Sequence, residues 1–265
     1  MLCDAHCHPF DLRKYISDDN IESCFGKTAA ASSSCTMEQF EYNENLSRRL
    51  IAHNNIPLKL CFAVHPQYPA CSHLNETDNR RHIYDVLFPA LEKLAMENRL
   101  DAVGEAGFDL FDDYHKNTEK TQDEIFAHHI NIAIKYSLPM VIHVRKAMHK
   151  IFALTGYLKK LPAVVFHSWQ GTITEGESLL RRNVNAYFSF GTAIINNHKQ
   201  TQRCCARFPL DRLLFETDAP YMPLRGMDFS SWSDLPAIYR AASALRSSPV
   251  PETAIEANFA KVFSV

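Results

Sequence analysis

The sequence predicts an α/β protein built on a TIM (β/α)8 barrel, with extra helices at its C-terminal end. Three observations favour this fold. Eight strand-like segments alternate with segments in which apolar residues keep helical spacing. Several of these strands are continuous apolar runs, as in a parallel sheet covered by helices. The chain has 265 residues without a linker or internal repeat, so we expect residues 1–265 to form a single domain.

The individual elements follow from local patterns. The predicted strands cover residues 1–8, 27–33, 58–64, 102–105, 139–143, 163–167, 186–190 and 212–218. The predicted helices cover residues 36–54, 83–95, 118–137, 151–158, a segment around Leu179, 200–208, 236–245 and 251–263. Pro9 ends the first strand, because proline cannot donate a hydrogen bond to a neighbouring strand. Thr36 is placed to cap the first helix, whereas residues 11–26 show no regular pattern.

Composition and charge restrict the functional classes. The net charge of −2 provides no broad basic surface for wrapping nucleic acid non-specifically. It is compatible with a substrate whose phosphate is held by a metal. The eight cysteines contain no CxxC pair, and Asp4 interrupts the N-terminus before an apolar run develops. We therefore expect a reduced, cytoplasmic protein with no membrane-spanning segment and no obligate protein partner.

Polar side chains stand where the predicted strands end. They are His6, His8, Glu105, His143, His167 and Asp218. The carboxyl ends of barrel strands meet at one face, where active sites are built. A single histidine of this kind is readily explained as a core residue bonded to a carbonyl group. Four histidines and two carboxylates at the ends of five strands would need many buried partners, and bound metal satisfies all of them at once.

Six ligands exceed the number that one catalytic ion with an open position can use. Two divalent ions about 3.5–4 Å apart, bridged by a carboxylate, fit better. We assign Glu105 as the bridge, His6, His8 and Asp218 to one ion, and His143 and His167 to the other. Asp218 is also placed to accept the proton of the attacking water.

Six motifs extend this interpretation over the whole chain: Asp4-Ala-His-Cys-His8, Gly104-Glu-Ala-Gly-Phe-Asp109, Val141-Ile-His-Val-Arg145, Phe166-His-Ser-Trp-Gln-Gly171, Glu216-Thr-Asp-Ala-Pro-Tyr-Met-Pro223 and Asn258-Phe-Ala-Lys-Val-Phe263. In this order they resemble the TatD family of metal-dependent deoxyribonucleases, within the amidohydrolase-like barrels. The resemblance implies a metallo-dependent hydrolase barrel that cleaves DNA phosphodiester bonds with two Mg²⁺ or Mn²⁺ ions. It also implies that His65, Asp109 and Arg145 support the site or contact phosphate.

The sequence leaves alternatives open for the role of Trp169, for the substrate and for the metal. Trp169 is a candidate for stacking on a nucleobase, or else it anchors its loop by packing against neighbouring residues. The same metals would also suit hydrolysis of an ester, lactone, amide or aminoacyl ester. A third interpretation is a metal-binding scaffold without catalysis. Imidazole ligands favour zinc, so Zn²⁺ is an alternative to Mg²⁺ and Mn²⁺.

Overall fold

Eight parallel strands form a nearly closed barrel of the TIM type. The computed structural model describes residues 1–71 and 74–263. The strands pair in chain order, β1 to β8, and cover Leu2–Cys7, Thr28–Ser32, Leu58–Phe62, Ala102–Asp109, Met140–Arg145, Val164–Phe166, Ala186–Phe190 and Leu213–Phe215. The eight-stranded parallel sheet predicted from the apolar runs is therefore confirmed.

Helices connect and surround these strands. The α-helices α1 to α13 cover Asp18–Phe25, Met37–Asn54, Tyr68–Cys71, Glu76–His82, Phe88–Met96, Asp113–Lys116, Glu119–Lys135, Met148–Ala153, Thr155–Leu158, Ile173–Arg181, Lys199–Arg207, Leu235–Arg246 and Glu252–Phe263. The predicted C-terminal helices are α12 and α13. Within residues 1–71 and 74–263, no helix is both long enough and apolar enough to cross a membrane.

The barrel closes between β1 and the segment that follows β8. The Asp218 N–H donates to the carbonyl of His6 at 3.0 Å, and the His8 N–H donates to the carbonyl of Ala219 at 2.7 Å. The fully buried Asp4 carboxylate accepts from the N–H and the hydroxyl of Thr217 at 2.9 and 2.6 Å. These contacts hold His6 of β1, and His8 directly after it, beside Asp218.

Two helical regions differ from the sequence prediction. Helix α1 lies within residues 11–26, where the sequence shows no regular pattern. The pattern is missing because the helix buries only Ile21 and Phe25. The helix expected from Ile83 begins earlier, at Glu76, and contains a π-helical turn over Ile83–Leu87. Its first turns bury only Asn79, so they carry no apolar periodicity for a sequence pattern to detect.

Aromatic side chains fix the loop that follows β6. The ring of Trp169 lies 4.8 Å from that of Phe188 and packs edge-on against it. Phe188 in turn lies 4.3 Å from Phe208, at the end of α11. This packing joins β6, β7 and α11, and so it orients the loop that carries His167.

Candidate metal centre

The two histidines of the first strand point to one place. Side chains alternate across a strand, so His6 and His8 share the inner face of the barrel while Cys7 faces outwards. Their Nε2 atoms lie 3.1 Å apart. Both face Asp218, whose Oδ1 lies 3.6 Å from His6 Nε2 and 3.4 Å from His8 Nε2. His6, His8 and Asp218 form one group able to hold an ion.

Glu105 lies at the centre of the cluster. It does not end its strand, because β4 continues to Asp109; instead it lies where the register between β4 and β5 shifts, between Val103 and Ala106. Its Oε2 lies 3.2 Å from His6 Nε2. Its Oε1 lies 2.7 Å from both His143 Nδ1 and His167 Nε2. One carboxylate thus faces histidines on two sides of the barrel.

His143 and His167 lie close together, and a fifth histidine lies beside them. His143 Nδ1 and His167 Nε2 are 3.2 Å apart. His65, which the family resemblance assigns to support or substrate contact, has its Nε2 3.2 Å from Glu105 Oε1. The potential ligand groups are His6–Glu105–His167 and His65–Glu105–His143, besides the group with Asp218. His65 is therefore a candidate metal ligand that sequence reasoning placed in another role.

Asp218 does not belong to a strand. Strand β8 ends at Phe215, and Asp218 follows it in the left-handed region, with φ of +54°. This conformation is unfavourable for a residue with a Cβ atom. It is held by the hydrogen bond from Asp218 to the carbonyl of His6 and by the bonds between Asp4 and Thr217. The sequence analysis placed Asp218 at the end of the last strand. In the structure Asp218 lies in the turn after β8, and this turn directs its carboxylate into the barrel.

The electrostatics of the cluster explain how so many ionisable groups share a buried space. Burial alone would raise the pKa of Glu105, but the charges of His167, His65 and His6 hold it well below the ordinary value. Burial lowers the pKa of His6 and of His65. For His167, burial is outweighed by Glu105, which raises the pKa well above the usual range. A metal ion bound to His167 would have to displace its proton.

The donor set suits divalent metal ions. Ligand atoms about 2.0–2.1 Å from one ion lie roughly 2.8–3.4 Å from each other, with adjacent octahedral ligands at the short end and tetrahedral ligands at the long end. The two imidazole N···N distances of 3.1 and 3.2 Å fall within that range. Nitrogen lone pairs that face each other without a metal or a proton would repel. Imidazole with carboxylate is the ligand set expected of zinc and, with more oxygen, of manganese or magnesium.

Two further carboxylates orient the histidines. Asp109 is fully buried and contacts His143 Nε2 at 3.2 Å, while it accepts from Gln67 Nε2 at 2.7 Å and from Arg145 at 3.3 Å. The Asp109 carboxylate is thus engaged by His143, Gln67 and Arg145. Glu216 accepts the Ser168 N–H at 2.6 Å and lies 3.6 Å from His167 Nδ1. Gln67 was missed by sequence reasoning, since a glutamine after a strand carries no distinctive pattern.

Arg145 and Trp169 differ in what they offer a substrate. Arg145 is about one-third exposed, and its guanidinium lies 4.1 Å from the ring centre of Phe111. It remains placed for a phosphate contact. Trp169 is 3% exposed, with its ring packed among Phe166, Phe188 and Phe208. No free ring face is available for a base, so Trp169 serves as the loop anchor that was the alternative interpretation.

Comparison with known proteins agrees with this architecture. The family described as TatD related DNase matches residues 3–264. The chain belongs to this family. A metal-dependent hydrolase of uncharacterized activity from Escherichia coli K12, YjjV, is 30% identical over 96% of this chain and 95% of its own length. The crystal structure of YjjV matches with a TM-score of 0.82 at 22% identity, covering 100% of this chain and 98% of that one.

Other TatD-family relatives have named activities. A protein of Dickeya dadantii named 3′-5′ ssDNA/RNA exonuclease TatD is 32% identical over 133 residues, half of either chain. Together with the ligand groups of the barrel, family membership identifies the chain as a TatD-family metal-dependent hydrolase.

Proposed function

We propose that this chain is a deoxyribonuclease that hydrolyses phosphodiester bonds with two divalent ions. The observation that carries the proposal is the position of Glu105. One of its oxygens faces His143, His167 and His65, and the other faces His6. A carboxylate shared in this way suits a bridge between two ions, the arrangement that serves phosphoryl transfer. The exonuclease name of the Dickeya relative supports nucleic acid as the substrate.

The ligands divide into two sets in this proposal. His6, His8 and Asp218 hold one ion, while His143 and His167, whose facing nitrogens lie 3.2 Å apart, hold the other, with Glu105 shared. His65 joins the second set, because it is as close to Glu105 Oε1 as a ligand requires. The ions would supply Lewis acidity, which activates water at neutral pH and neutralises charge on the phosphate. Mg²⁺ or Mn²⁺ is favoured by the phosphate substrate and Zn²⁺ by the imidazoles.

The side chains then perform two tasks in the reaction. Asp218 accepts a proton from the attacking water as its oxygen bonds to phosphorus. The bond from phosphorus to one sugar oxygen breaks, and that oxygen leaves as an alcohol after taking a proton from solvent. Arg145 contacts a non-bridging phosphate oxygen with the N–H groups that Asp109 does not use. The products are an alcohol and a phosphomonoester.

Activity measurements on the purified protein test the proposal. The protein is stripped with EDTA, dialysed, and assayed on a single-stranded DNA oligonucleotide after addition of Mg²⁺, Mn²⁺ or Zn²⁺. A p-nitrophenyl ester, a lactone and bis(p-nitrophenyl) phosphate are assayed in parallel. We expect cleavage of DNA and of the phosphodiester, lost with EDTA and restored by metal. Hydrolysis of the ester or lactone alone would contradict phosphodiesterase chemistry, and absence of all activity would favour a non-catalytic role.

A further inference from the structure

A cavity of about 480 Å³ opens beside the metal centre, between β5 and β6 and the loops that follow them. Its inner wall includes His167, whose Nε2 contacts Glu105 at 2.7 Å. A molecule in this cavity therefore lies one side chain away from the reaction centre. The volume is within the range of about 300–1,000 Å³ typical of small-molecule sites.

The walls of the cavity are apolar on two sides. Val144 and Met148 contribute from the β5 side, while Phe166 and the edge of Trp169 contribute from the β6 side. Besides His167 on the inner wall, the polar lining residues are His149, Glu175, and the exposed Lys146 and Gln170. A planar ring with hydrogen-bonding groups at its edge matches this arrangement, because its faces are apolar and its edge needs partners.

The opening also carries positive charge. Lys146 has a left-handed backbone conformation, with φ of +55°, which turns its side chain toward the carbonyl of Phe111 at 3.1 Å. Its ammonium lies 4.4 Å from the centre of the Phe111 ring, on which Arg145 also rests. Among the described residues, Lys146 has no carboxylate within ion-pair distance.

Glu175, which lines the cavity, accepts from the N–H and the hydroxyl of Thr172 at 2.7 and 2.9 Å, and other acidic residues of these loops are also engaged. Asp109 is bonded to Arg145, and Asp112 and Asp113, which follow Phe111 in the chain, bond to His115 and Lys116. The Lys146 ammonium is thus available to an anion. A cation at the opening of an apolar cavity is the combination that a nucleotide requires.

We propose that this cavity is the subsite for the nucleoside attached to the scissile phosphate, and that Lys146 contacts the next phosphate of the strand. The inference rests on the proposed phosphodiesterase function and adds a specific place for the substrate. The base enters between Val144 and Phe166, its polar edge meets Gln170, and the strand continues past Lys146. Hydrolysis then occurs where the sugar-phosphate bond passes His167.

Three chromogenic phosphodiesters test the subsite. They are bis(p-nitrophenyl) phosphate, which has no nucleoside, and the p-nitrophenyl phosphate esters of thymidine at its 5′ and its 3′ oxygen. We expect the wild-type protein with metal to have a higher kcat/KM for one thymidine ester than for the substrate without a nucleoside. The Val144→Phe substitution fills the cavity, so it should reduce that ratio about tenfold, the loss typical of one base contact.

A second variant tests the cation without disturbing the core. Lys146→Met should lower the salt dependence of log KM for a single-stranded oligonucleotide by about 0.7, the slope for one phosphate contact. Lys159→Met, an exposed lysine at the end of α9, is the matched control and should leave the slope unchanged. Lys146→Met remains informative if Val144→Phe fails to fold, because Lys146 is exposed.

The outcomes separate the two proposals. Equal effects of Val144→Phe on all three substrates would overturn the nucleoside subsite while leaving phosphodiesterase activity intact. An unchanged salt slope in Lys146→Met would overturn the contact with the next phosphate. If the metal-loaded wild-type protein hydrolyses none of the phosphodiesters, the proposed function fails, and the subsite fails with it.

Discussion

Replacing Glu105 with glutamine tests the centre of the site. The substitution preserves side-chain shape but removes the negative charge and turns one oxygen into an N–H donor. In the wild-type protein, Oε1 lies within 3.2 Å of nitrogens on His143, His167 and His65, and Oε2 lies 3.2 Å from His6. Whichever way the amide is oriented, its NH2 group faces histidine nitrogens where a metal ligand is needed.

The expected loss of metal affinity can be compared with the loss for residues that contact a metal ligand but not the metal. Mutation of a group that only orients a ligand typically lowers metal affinity or activity 10- to 100-fold. Glu105 contacts candidate ligands of both ions, so its loss should exceed that range for each of them. We expect a loss of more than about 100-fold in affinity for each ion, or at least about 3 kcal/mol. Loss of both ions would reduce phosphodiester hydrolysis to background.

Metal content by mass spectrometry after dialysis, and hydrolysis of bis(p-nitrophenyl) phosphate, measure these effects. Glu216→Gln is the matched control: Glu216 is also fully buried, but among the described residues the polar contacts of its carboxylate are with Ser168 and His167. The control should lose 10- to 100-fold and retain its metal at saturating concentration. If Glu105→Gln keeps two ions and normal turnover, Glu105 is not a bridge, and the two-ion assignment is wrong.

Three further predictions follow. Burial lowers the pKa of His129 to about 3, so below an unfolded pKa of about 6.5 only the unfolded chain takes up this proton, and the fold loses about 2 kcal/mol of stability as the pH falls from above 6.5 to 5. In urea unfolding with EDTA, the free energy of unfolding of His129→Gln should fall less between pH 6.5 and 5 than that of the wild-type protein. An equal fall in both proteins would contradict this. Gly107→Ala should destabilise the fold by more than about 3 kcal/mol in the same assay, because its Cβ would lie 2.0 Å from the His143 carbonyl at φ of +147°. Gly156→Ala, with no atom within 4 Å, should be nearly neutral; equal effects would refute the steric argument. Asp4→Asn should lower stability by about 1–3 kcal/mol, since its amide cannot accept both donors of Thr217, and an unchanged unfolding midpoint would contradict this.

The barrel could be predicted because its strands have a distinctive chemistry. A parallel strand is buried on both faces, so β6 is wholly apolar and is followed directly by His167. Helix α2 was predictable at its first residue, because Thr36 and Gln39 form a capping box. Helix α1 was not, since only two of its residues are buried and the rest face solvent.

The candidate site shows where this reasoning ends. His6 and His8 were predictable as a pair because the period of a strand fixes which side chains share a face. His65 lies three residues beyond β3, in a loop where no period fixes the direction of a side chain. Its approach to Glu105 became visible only in the folded structure. The same holds for Trp169, because the packing of α11 against β7 decides that its ring is buried.

Formation of the site and closure of the barrel are physically the same event. The candidate ligands come from β1, β4, β5 and the segments that follow β3, β6 and β8, so an unfolded chain holds no preformed site. Asp4 joins the first strand to the turn that carries Asp218, and through that turn the two ends of the barrel meet. Ions that bind only the closed barrel must stabilise it, by about 2.7 kcal/mol at a hundredfold excess over the dissociation constant. Thermal unfolding with and without Mn²⁺ should therefore report metal binding even where no substrate is turned over, whereas an unchanged midpoint at saturating metal would mean that the ligand groups do not act together.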